Sequence, residues 1–293
     1  GWTSMASRAL PLLSLALLAT PLLACTDDGP PAPPEVKTGA YTAFVQRGWI
    51  IPASGTEART FGFDLDHDGS GDNEVGGLIG GLAGLGLDVD DANAALVGSG
   101  DSIIAHLVRA DRRDDDDSVA WQLWNGTGTP PRFDGTDRVG PSAVDGALWG
   151  AITAGSLAAH WGDVVVRVPL FPGQPAVALP LTDAQLELVT DGPCRGRLGG
   201  TVLDLSLTIA LEEIGRQTIV HLQAHPEHPF TTAAVSIIDE NNDGTVTVAE
   251  VVSLARALLR ADVDLDGDGA ADGASFALGF ECAPAQLAST PTF

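Results

Sequence analysis

Three stretches of this chain set oxygen-bearing side chains at alternate positions just ahead of a glycine. Residues 239–250 read DENNDGTVTVAE, residues 64–72 read DLDHDGSGD and residues 264–272 read DLDGDGAAD. Carboxylates this close repel one another strongly unless a cation lies between them. Oxygen ligands suit a hard divalent ion, and Ca2+ takes six to eight of them in flexible geometry. The alternative for each stretch is a solvated acidic turn.

The 239–250 segment resembles the calcium loop of EF-hand proteins at every fixed place. The resemblance implies side-chain ligation by Asp239, Asn241 and Asp243, and a sharp turn at Gly244. It also implies a backbone carbonyl from Thr245, direct or water-mediated contact from Thr247, and both oxygens of Glu250. Residues 230–238 are few and include Thr231, Thr232 and Val235, so a full incoming helix is not expected. That arrangement is similar to the loop–helix half motif of dockerins. The other two segments match each other: Asp64, Asp66, Asp68 and Asp72 align with Asp264, Asp266, Asp268 and Asp272. They resemble the loops of dockerin and thrombospondin type 3 repeats. Val75 and Ser275 stand where the closing Glu would be, which implies weaker binding, about 10⁻⁴–10⁻³ M, enough for a structural ion outside the cell.

The amino end carries a different signal. Residues 1–4 read as an extension ahead of Met5. One cation, Arg8, then precedes an apolar run over 9–24, the grammar of a secretory signal peptide. The run is broken by prolines and falls short of the ~20 residues a spanning helix needs. Residues 22–25 (LLAC) resemble the lipobox of bacterial lipoproteins, which implies cleavage before Cys25 and a lipid anchor on it. An ordinary signal peptide cut after Ala24 is the alternative. Thr26, rather than Asp, follows; by analogy with enteric bacteria this implies the outer membrane. With Cys25 lipidated, Cys194 and Cys282 remain, and an oxidising compartment invites one bridge, with two separate buried thiols as the alternative.

Composition agrees with a cation-binding exported protein. The 293 residues hold 15 Lys+Arg against 39 Asp+Glu, a net charge of −24, and the single Lys is Lys37. Nucleic acid is thereby excluded as a partner, since phosphate binding needs clustered Lys and Arg. An anionic membrane surface is disfavoured for the same reason. The membrane is expected to be met through the lipid on Cys25, and an envelope protein or polysaccharide is a possible further partner.

The elements that must position the loops are read as follows. A signal peptide covers 1–24, a Pro-rich tether 25–40, a β-rich domain with the first calcium loop 41–235, and an EF-hand-like region packed on the same domain 236–293. Strands are expected at 41–51, 163–170, 176–181 and 185–189, with a hairpin of 102–110 and 119–124. In 203–211, Leu203, Leu205, Leu207, Ile209 and Leu211 alternate with Asp204, Ser206, Thr208 and Ala210, the period of a half-buried strand. Gly215-Arg216 then reads as a turn, and 217–222 as the return strand. Helices are expected at 75–86, 90–97 and 248–259, and a closing strand at 276–282.

Other constellations are read as structural. Asp114 to Asp117 form a solvated turn, because consecutive residues cannot all face one ion. His221, His225 and His228 could suit zinc on a helix, but Pro226 and Pro229 favour a solvated strand end. Gly140-Pro141-Ser142-Ala143-Val144 lacks the second glycine of a nucleophile elbow. Trp121 and Trp124 are expected in the core on opposite strand faces.

The fold expected is α+β, with an antiparallel β-rich, sandwich-like core, a few helices and EF-hand-like calcium loops. The two like loops stand 200 residues apart (264 − 64), which favours one domain whose ends meet. The whole chain resembles the lipoproteins of myxobacteria that combine a lipobox with such loops. That family has no assigned activity, so the resemblance implies a location and no mechanism. The function expected is a non-catalytic, calcium-binding lipoprotein of the cell envelope with a structural or adhesive role. The alternatives are a secreted hydrolase with structural calcium and a dockerin-like docking module.

Overall fold

The computed structural model describes residues 39–289 apart from 141, 142, 161 and 192. The signal segment 1–24, Cys25, the tether up to residue 38 and Trp161 lie outside the described residues. In chain order, β1 (Ala40–Ile50) precedes three helices: α1 (Gly55–Phe61), α2 (Glu74–Gly84) and α3 (Val89–Ser99). Then come β2 (Ile103–Ala110), β3 (Asp115–Gly126), β4 (Arg138–Val139), β5 (Ala143–Thr153) and β6 (Ser156–His160). Next are β7 (Val164–Val168), β8 (Val177–Val189) and β9 (Arg195–Leu203). Three more helices, α4 (Asp204–Ala224), α5 (Pro229–Ile238) and α6 (Val248–Leu258), lead to the long β10 (Gly273–Leu287).

The sheet closes on itself. Its order is β1-β2-β3-β5-β6-β8-β9-β10, and β10 pairs back onto β1 with Ala43 opposite Ala285 and Ile50 opposite Gly279. The result is an antiparallel barrel of eight strand positions. β6 and β7 occupy one position in series between β5 and β8: β6 meets residues 186–189 of β8, and β7 meets 177–181. The sandwich-like α+β core expected from sequence is therefore incorrect. Alternating residues look the same in a sandwich and in a barrel. Closure is decided by the pairing of the first and last long strands, which removes the free edges.

Residues paired across strands share a face, so Phe44, His106 and Leu123 line one face of β1, β2 and β3. The His106 ring stacks on Phe280 of β10 at 4.3 Å and tilts against Trp121 at 5.7 Å. β2 and β10 are not neighbours in the sheet, so these rings meet inside the wall. Trp121, Phe276 and Phe280 are fully buried there. Trp124 faces the other way and packs with Val45, Leu107 and Ala283. Cys194, just ahead of β9, and Cys282 of β10 stand at disulfide distance, their Cα atoms 5.0 Å apart.

Residues 203–211 are not a strand but the start of the 21-residue α4, which also absorbs the expected turn and return strand. The helix buries Leu207, Ala210, Leu211 and Ile214, at the i, i+3, i+4 spacing of one helical face. Leu205 and Ile209 are left 74% and 60% exposed. Gly215 marks no turn. A Cβ there would lie 3.0 Å from Val248 Cγ1, so the missing side chain lets α6 approach α4 closely. The incoming segment of the 239–250 loop is also corrected. It forms α5, with Pro229 in its first turn and His228 accepting the Phe230 amide as its cap.

Candidate metal centre

The three acidic loops share one backbone path. Counting from the first Asp, the fourth residue is left-handed in each: His67 at φ 62°, Asn242 at 57° and Gly267 at 74°. The sixth is left-handed as well: Gly69 at 90°, Gly244 at 81° and Gly269 at 88°. Glycine adopts that conformation without a steric penalty, which accounts for its place in all three sequences.

The internal hydrogen bonds repeat in the same way. The amide of the sixth residue donates to the first Asp: Gly69 to Asp64 (3.2 Å), Gly244 to Asp239 (2.8 Å) and Gly269 to Asp264 (2.7 Å). The fifth donates to the third: Asp68 to Asp66, Asp243 to Asn241 and Asp268 to Asp266. The seventh donates to the fifth: Ser70 to Asp68, Thr245 to Asp243 and Ala270 to Asp268, each at 2.8 Å. The same side-chain oxygens are thus held by backbone amides in all three loops.

The twin loops go further. Leu65 and Leu265 each donate an amide, over 2.8 Å, to Asp72 and Asp272. Asp72 and Asp272 return their own amides to the carbonyls of Phe63 and Val263. Among the described residues, two groups thus bring three acids together: Asp64, Asp66 and Asp72, and Asp264, Asp266 and Asp272, with oxygens within 4.8 Å of one another. Ligands lie about 2.3–2.6 Å from Ca2+, so oxygens on one ion are at most about 5 Å apart, and both groups fit. Asp68 and Asp268 stand outside these groups. The Ser70 hydroxyl holds Asp68 below the usual carboxylate range, and the Gly269 amide does so for Asp264. Burial pushes Asp72 up, against the amide of Leu65.

Among the described residues the 239–250 loop, the closest in sequence to the EF-hand pattern, forms no such trio of acids. Glu250 Oε2 accepts the Thr247 amide at 2.9 Å and its hydroxyl at 2.8 Å, while the Glu250 amide donates to Thr247, a capping box that starts α6. Glu250 Oε1 is buried with no hydrogen-bond partner. That oxygen fits a role as ion ligand.

The fold sets the twin loops beside each other. Phe63, Leu65, Val263 and Ala277 form one small apolar cluster. A Cβ at Gly199 would lie 2.9 Å from Phe63 Cδ2, so β9 keeps a bare backbone under that ring. Two residues that ligand patterns do not reveal join the loops. Asn73 follows Asp72 and is buried at 6% exposure. Asp262, two residues before Asp264, accepts the Ser275 amide at 2.7 Å and its hydroxyl at 2.5 Å, and burial raises its pKa.

Two other clusters lie apart from these loops. Asp116 accepts the amides of Asp111, Arg112 and Ser118 and so builds the turn between β2 and β3. The histidines lie at a helix end, not at a strand end: the His221 ring is 4.8 Å from His225 and 5.5 Å from His228. Burial, then the two neighbouring histidines, lowers the His221 pKa.

Fold and site together define a closed β-barrel domain carrying three acidic loops of one backbone conformation. No protein-family model, no curated protein and no solved structure matches the chain.

Proposed function

We propose that this is a calcium-binding protein of the bacterial cell envelope, tethered through lipid on Cys25 to a membrane, the outer one by the Thr26 analogy. Its role is structural or adhesive rather than catalytic, and Ca2+ in the loops fastens the region where its first and last elements meet. The observation that supports the calcium reading best is the repetition of one hydrogen-bonded loop at 64–72 and 264–272. Each loop holds a carboxylate trio compact enough for one ion. The lipobox resemblance supports the location. Calcium titration by calorimetry tests the first part: at least two ions should bind, and Asp264→Asn should remove one. Palmitate labelling tests the second: label should vanish in Cys25→Ser, and persistent label would refute the anchor.

A further inference from the structure

A groove of about 1050 Å³ lies between α2 and the α4–α6 layer, at the upper end of the range for ligand sites, about 300–1,000 Å³. Its walls are apolar helix stripes. Leu78 and Leu82 come from α2, Ile238 from α5, and Leu254 and Leu258 from α6. The floor along α2 is bare backbone. A Cβ at Gly81 would touch nothing within 4 Å, and one at Gly77 would meet only Gly55 Cα at 3.8 Å. Ile237 and Leu258, both on the lining, are 49% and 58% exposed, so apolar surface is left open at the mouth.

One end of the groove differs. Asp68, Asp72, Glu74 and Asp262 line it, with Arg59 as the single cation, so the lining carries 1 − 4 = −3. Glu74 and Asp262 lie outside both carboxylate trios. An anionic head group is repelled there by the excess of acids on the lining. α2, with 11 residues, gives the groove a run of about 16 Å, room for a medium alkyl tail.

We propose that this groove binds a cationic amphiphile, an ammonium group on an apolar tail, with the head at Glu74 and Asp262 and the tail along Gly77 and Gly81. The proposal does not rest on the calcium reading. The test is calorimetric titration of the full chain, in calcium buffer, with decyltrimethylammonium and with decanoate, both below micelle formation. One saturable site for the cation is expected, with decanoate at least tenfold weaker. Gly81→Leu should fill the floor and weaken cation binding at least tenfold without lowering the melting temperature. Glu74→Gln should narrow the preference for cation over anion. If Gly81→Leu melts lower, Glu74→Gln alone decides. Absence of a saturable site, equal binding of decanoate, or a folded Gly81→Leu that binds like wild type would overturn the proposal.

Discussion

The Asn73 side chain pairs with the backbone of Ala277 as a neighbouring strand would. Its Oδ1 accepts the Ala277 amide and its Nδ2 donates to the Ala277 carbonyl, both at 2.8 Å across 204 residues of chain. The same amide group caps α2 by accepting from Gly76 and donates to the Ala58 carbonyl. Asn73 directly follows the first twin loop, and Ala277 lies in the strand that leaves the second. One side chain therefore ties the two loops, α1 and the barrel wall together.

Asn73→Ala should accordingly be costly. It leaves buried groups on Ala277 and Ala58 unpaired and removes a helix cap, a loss of about 3 kcal/mol or more. Urea unfolding checks this. A loss under about 1 kcal/mol would mean that water replaces the side chain and that the tie is weak.

The likeness of the three loops was legible in the sequence, because each sets Asp or Asn at alternate places ahead of a glycine and that pattern fixes one turn. The barrel was not legible, because closure depends on β1 finding β10, and no local pattern encodes that pairing. The start of α4 misled for a related reason. Leu207 and Leu211 fit both a strand period of two and a helix spacing of four, and the exposed Leu205 and Ile209 completed a false alternation. α5 was missed because Thr231, Thr232 and Val235 weigh against helix, while its start signals, Pro229 and the His228 cap, are local and real. Asn73 carries no sequence mark, since its tie is to the backbone of Ala277, 204 residues on, and Asp262 carries none because its partner, Ser275, lies beyond the loop in β10.

The α4 assignment makes its own prediction. Ile209→Lys, on the open face of the helix, should change stability by no more than about 0.5 kcal/mol. Leu211→Ala, on the buried face, should cost about 2–5 kcal/mol. Parallel denaturant titrations separate them, and equal losses would restore the strand reading.

His106 sets a pH dependence. Burial holds its pKa at about 3, so it stays neutral in the folded barrel. The unfolded chain takes up that proton below about pH 6.5. Between these values the unfolded state binds more protons, so stability falls as pH falls through 6.5 toward 3. From pH 8 to pH 5 the loss from this residue is about 2 kcal/mol. In His106→Phe the fall should be shallower by that amount. The raised pKa values of Asp72 and Asp262 act in both proteins, so the difference between the two curves reports His106. Parallel curves would mean that the ring is hydrated or already charged.

The central claim is that divalent cations complete the loops of a chain with a net charge of −24. A ligand that binds the folded state alone stabilises it by about 2.7 kcal/mol per site at a hundredfold excess over Kd, or about 5 kcal/mol for the twin loops. Differential scanning calorimetry in saturating calcium and in chelator measures this most directly. The account predicts a markedly higher melting temperature in calcium, with part of the gain lost in Asp272→Asn. Superimposable melting curves in calcium and chelator would contradict it, and the three loops would then be acidic turns held by their own backbone amides.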